Sequence, residues 1–79
     1  MPNLRRLAGR DLLTILQGFG FPQVSQRGSH VKLGREVAET RQVLTVPLHA
    51  ELDPGTLRAI FCQASRFISD SELRPHFYT

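Results

Sequence analysis

Three histidines, one cysteine and an excess of arginines carry most of the reactive chemistry in this chain of 79 residues. His30 lies in the stretch QRGSHVKL, flanked by Arg27 and Lys32. Val31 and Leu33 alternate with His30 and Lys32, the period of a strand with its apolar pair turned inward and its His and Lys turned outward. Imidazole ordinarily titrates near pH 6.5, which suits proton transfer at neutral pH, and neighbouring cations suit the charge building on a phosphodiester. A His on such a face also reads as a solvated strand residue. Metal binding has little support, because His30, His49 and His76 lack ligand spacing and no cysteine pair joins them. A nucleophilic triad is no better supported: Ser29 adjoins His30, and successive strand residues point to opposite faces. Cys62 is single, so an intrachain disulfide framework and a cysteine-rich metal site are both excluded. Between Phe61 and Gln63 on a helical pattern, it reads as a part-buried structural thiol.

The bulk properties bound what such residues can do. A chain this small buries only about 60% of its unfolded surface, so residues 1–79 read as one domain with a modest core and a shallow site. The formal charge is +3, and nine of the ten basic residues are Arg, with Lys32 the exception. That balance favours an anionic partner, and the planar Arg fork suits phosphate. No apolar run approaches the roughly 20 residues of a membrane span. The N-terminal stretch MPNLRRLAGRDLL has no apolar core of a secretory signal, so the expected location is the cytoplasm.

The elements that must position these residues follow from periodicity. Leu12, Leu16 and Phe19 recur at helical spacing and Gly20 offers a left-handed stop, which predicts a helix over 9–19. Ala8 and Gly9 are weak caps for its start. FPQVSQR, SHVKL and RQVLTVPLH read as three strands, the second ended by Gly34 and the third by Pro47. REVAET between them reads as a hairpin loop or the frayed tips of two strands. Asp53 is a good N-cap and Pro54 a good first residue for a second helix with the stripe Leu57, Ile60, Phe61, Ala64 and Ile68. SDSE at 69–72 matches a capping box and predicts a short third helical turn, which Pro75 keeps from extending far. The tail HFYT is unassigned, with an aromatic pair able to fold back over the core. Helix, three strands and helix make an α+β sandwich: an antiparallel sheet with both helices on one face. His30 and Lys32 then fall on the open face or its rim.

Four pieces of sequence in order carry a family resemblance. They are the Gly-Phe pair ending the first helix, Arg27-Gly28-Ser29-His30 opening the second strand, Val46-Pro47-Leu48-His49 ending the third, and Gly55-Thr56-Leu57-Arg58 opening the second helix. Together, across about residues 8–65, the chain resembles the HicA-type (YcfA-like) mRNA interferase toxins of bacterial and archaeal toxin–antitoxin systems. Residues 66–79 form a C-terminal extension beyond that match.

The resemblance implies a double-stranded-RNA-binding-domain-like α-β-β-β-α sandwich, in agreement with the order read above. It implies a toxin that cleaves mRNA with neither metal nor cofactor, using the His of the Gly-Ser-His motif, here His30. It also implies silencing by a HicB-type antitoxin. Arg27, Ser29 and Lys32 are assigned to substrate contact from their positions alone. His49 ends the third strand and either protonates a leaving 5′-oxygen or fixes the loop into the second helix, with the structural role preferred. His76 receives no role. Gly55 and Thr56 belong to the helix start, where free N–H groups can also receive a phosphate. Two alternatives share the fold: a non-catalytic RNA-binding module, and a degenerate toxin that only binds its antitoxin. The chain departs from the family in its hairpin GREVAETRQ, which lacks an Asp-Gly turn. It departs also in QASRF, which lets the second helix run on for another turn, and in the longer tail.

Overall fold

The computed structural model describes residues 3–79. Helix α1 spans Gly9–Gly18 and buries Leu12 and Leu16. Ala8 occupies its cap without a polar side chain, and Asp11 supplies what is missing: its Oδ2 accepts the Ala8 N–H at 2.8 Å. Acidic Asp11 also sits well against the positive end of the helix dipole. At the other end Phe21 N–H reaches back to the Leu16 carbonyl, with Gly20 at φ +93° making the reversal. Gly9 is required where it stands, because a Cβ there would collide with the Pro47 carbonyl and lie 2.8 Å from Leu48 Cα.

Three strands, β1 (Gln23–Arg27), β2 (His30–Val37) and β3 (Thr40–Pro47), form an antiparallel sheet in the order β1-β2-β3. Val31 and Leu33 of β2 and Leu44 and Val46 of β3 are buried against α1 and α2 in one core with Phe21, Leu57 and Ile60. The helices therefore cover one face and leave the other open, the expected α+β sandwich.

One sequence expectation about β2 is corrected, and one with two alternatives is decided. Gly34 does not end β2; it is a buried mid-strand residue paired with Val43, and the strand runs on to Val37. REVAET is no loop. Its first residues extend β2, and Ala38 and Glu39 alone make the turn, with φ of +50° and +65°. Both central residues lie in the left-handed region, the conformation of a type I′ hairpin turn. Glu36 pairs with Arg41 just behind it, their side chains 3.8 Å apart.

Helix α2 (Pro54–Ala64) begins as expected, with Asp53 accepting the Thr56 N–H at 3.1 Å and its hydroxyl at 2.6 Å. Those two bonds from Thr56 hold the Asp53 carboxyl below the usual range. The helix does not run on through QASRF: Ser65 is its C-cap and turns its hydroxyl onto the Phe61 carbonyl at 2.7 Å. Ile68 is buried, as its place in the stripe requires, but in the turn beyond the helix. Cys62 is exposed, not part-buried; its position falls on the outward side of α2, opposite the buried Leu57, Ile60 and Ala64.

The third helical segment is longer than expected. Helix α3 covers Asp70–Phe77 and carries Pro75 inside it. Ser69 holds the cap position but makes no side-chain capping bond, so the SDSE box does not close. Asp70 instead pairs with Arg74 one turn on, at 2.9 and 3.0 Å. That hydrogen-bonded guanidinium holds the Asp70 carboxyl down. Leu73 and Phe77 are fully buried and Tyr78 partly so, which places the aromatic tail over the core.

Candidate active site on the open sheet face

The open face owes its composition to strand parity. Register places Arg27 opposite His30, with Pro47 on the far side of His30. The next outward row is Ser25, Lys32 and Thr45. The residues of these two rungs other than Pro47, with Gln26, line a shallow groove of about 480 Å³. His30 is exposed within it, and none of its six lining residues is acidic. The two ion pairs among the described residues, Arg41–Glu36 and Arg74–Asp70, use neither Arg27 nor Lys32. The groove thus combines an accessible imidazole with two uncommitted cations, a setting suited to an anion.

The turn that presents His30 is held from both sides. Gly28 takes φ +58° at the first of the two turn positions, where a residue with a Cβ would be strained. The Gln26 side-chain amide donates to the Gly28 carbonyl at 3.0 Å. The Ser29 carbonyl accepts the Leu48 N–H at 2.6 Å, so the end of β3 grips the turn just before His30. Thr45 is fixed in turn by its own N–H, which donates to Gln63 Oε1 of α2 at 3.1 Å.

Of the expected site residues, the structure brings His30, Arg27 and Lys32 together in this groove. Ser29 is not among the lining residues; its carbonyl serves the turn. His49 lines a second depression of about 360 Å³, with Ala8, Arg10, Leu48 and Ala50. Its carbonyl accepts the Gly9 N–H at 2.9 Å, and its imidazole is exposed. His76 stands edge-on to Phe19, ring centres 5.4 Å apart. Among the described residues no three His, Cys, Asp or Glu side chains converge as a metal site. Gln26, Ser25 and Thr45 are the groove residues that sequence reasoning missed. Ser25 and Thr45 could have been found only from the cross-strand register, and Gln26 only from its position two residues before the turn glycine.

A family model described as the HicA toxin of bacterial toxin-antitoxin systems matches residues 9–65. The chain belongs to the HicA toxin family. It is therefore a toxin of a toxin–antitoxin system, and an antitoxin is its partner. No curated protein and no solved structure matches the chain significantly. The HicA match contains both rungs of the groove and His49, and it stops before α3. Among the described residues of this HicA-family chain, no helix is long and apolar enough to cross a membrane.

Proposed function

We propose that this toxin is an endoribonuclease that cleaves mRNA in the cytoplasm without a metal, with His30 as general base. Residues 1–79 then act as one toxin domain, 66–79 being an extension of it, and a HicB-type antitoxin silences it by binding. One observation carries the reading: an exposed His30 lies one rung from Lys32 and directly across from Arg27, in a groove that no carboxylate lines.

In this reading the His30 imidazole takes the proton of a ribose 2′-hydroxyl. The 2′-oxygen attacks the adjacent phosphorus, and the bond from phosphorus to the 5′-oxygen breaks. The departing oxygen gains a proton from solvent, leaving a 2′,3′-cyclic phosphate and a 5′-hydroxyl end. Arg27 and Lys32 hold the non-bridging oxygens and stabilise the charge that grows on them. Only RNA offers the 2′-hydroxyl, so DNA of the same sequence should stay intact.

The test incubates purified protein with single-stranded RNA in the presence of a chelator. Loss of a general base typically costs 10²–10⁴-fold in rate, so His30→Ala should fall by roughly that factor. Undiminished cleavage by a folded His30→Ala protein would end the proposal. RNA binding without cleavage by the unaltered chain would identify a non-catalytic RNA-binding module, and neither binding nor cleavage a toxin that only engages its antitoxin.

A further inference from the structure

The depression around His49 lies beside the groove. His30 pairs with Pro47, and the next residue, Leu48, both donates to the Ser29 carbonyl at 2.6 Å and lines the depression. The depression is built where the start of α1 meets the end of β3, so a strand of RNA whose phosphate sits by His30 can reach it with an adjoining nucleotide by bending round that end of the sheet. The lining there differs in kind from the groove. Ala8, Leu48 and Ala50 supply small apolar surface, and Arg10 and His49 supply two planar, polar side chains. The volume, about 360 Å³, falls within the range of small-molecule pockets. Packing makes this wall firm: Gly9 sits against Pro47 and Leu48 and donates to the His49 carbonyl. His49 is thus pinned by its backbone while its ring stays exposed.

A flat heterocycle with polar edges, carried on an anionic backbone, is what such a lining suits. Single-stranded RNA is recognised by splaying bases onto aromatic rings and guanidinium planes. We propose that the Ala8–Arg10–Leu48–His49–Ala50 depression is a nucleobase subsite, in which His49 stacks on the base next to the scissile phosphate and Arg10 holds its edge or stacks beside it. His49 is then a specificity-determining residue and neither the general acid nor a mere loop anchor. The inference rests on the endoribonuclease reading for its substrate, and its experiment requires no cleavage.

The experiment uses the full chain carrying His30→Ala, in chelator, and measures affinity for a single-stranded RNA and for a series of copies in which one base at a time is replaced by an abasic ribose. Removing one base from an aromatic platform should weaken binding about tenfold at one position and little elsewhere. His49→Ala in the same background should remove that position's effect. His49→Phe, which keeps a stacking ring but cannot move a proton, should restore it. A flat abasic profile would overturn the subsite. So would a His49→Phe protein as impaired as His49→Ala, or a His49→Ala loss equal on intact and abasic RNA. Thermal melting of each variant excludes unfolding as the cause. Cleavage by the His30→Ala parent would instead defeat the general-base assignment, and the abasic profile would still decide the subsite.

Discussion

Arg35 and Arg27 are the same residue on adjacent strands, and their guanidinium groups have opposite fates. Arg27 faces the groove. Arg35 is directed to the helical side, where it donates to the Phe19 carbonyl at 2.7 Å, the Phe67 carbonyl at 3.2 Å and Gln42 Oε1 at 2.7 Å. It also lies over the Phe21 ring at 4.1 Å. It joins the end of α1, the turn after α2 and the sheet, so it is structural and unavailable to phosphate. The difference follows from parity: Arg35 is one residue past Gly34, on the side of Val31 and Leu33. Periodicity was legible through Leu33 but not beyond the glycine, so nothing in the pattern set Arg35 apart from the other arginines. His30 and Lys32 were legible because the alternation Val31–Leu33 is unbroken there. Arg35→Ala should cost about 2 kcal/mol, since it leaves part-buried carbonyls without a donor. For a domain of this size, that lowers the midpoint of thermal unfolding by roughly 10 °C. Arg35→Lys should recover little, because one ammonium cannot serve partners on three sides as a planar fork does. Equal melting of Arg35→Ala and the unaltered chain would show the contacts to be incidental.

The β2–β3 hairpin and α3 were the least legible elements, for different reasons. A type I′ turn is normally announced by Asn-Gly, and Ala38-Glu39 carries neither residue. The register Val37↔Thr40 and the pairs behind it impose the turn on a sequence that would not choose it. Each left-handed residue with a Cβ costs about 1–2 kcal/mol in local conformation. Ala38→Asn combined with Glu39→Gly should therefore stabilise the protein by about 1 kcal/mol, raising the unfolding midpoint by roughly 4–8 °C. A double variant that melts no higher would mean the strain is absent in solution. In α3 the misleading signal was Pro75, which lacks an N–H and ordinarily breaks a helix interior. Here the helix has only eight residues, and burial of Leu73 and Phe77 with the Asp70–Arg74 pair holds it together across that gap. Tertiary packing outweighs the local preference, which no pattern within residues 70–77 reveals.

At the scale of the molecule, the first and last of the described residues close on each other. Arg5 N–H donates to the Phe77 carbonyl at 2.8 Å, Thr79 N–H to the Asn3 carbonyl at 2.9 Å, and Leu4 bridges to Tyr78. Neither end lies within the family match of residues 9–65, yet both are built into the core, through Leu7 on one side and Leu73 and Phe77 on the other. Phe77 is wholly buried, and its ring meets Phe61 of α2 edge-on at 5.2 Å. A domain of this length has a total stability of only about 4–12 kcal/mol. Phe77→Ala removes a large ring from a closed core and should cost about 3–5 kcal/mol. That is a large share of the whole, so a residue outside the segment matched by the family helps decide whether the groove exists at physiological temperature. Phe77→Leu keeps most of the volume and should cost distinctly less. Denaturant unfolding followed by circular dichroism measures both. A Phe77→Ala midpoint within error of the unaltered chain would mean the tail rests on a fold that residues 9–65 complete without it.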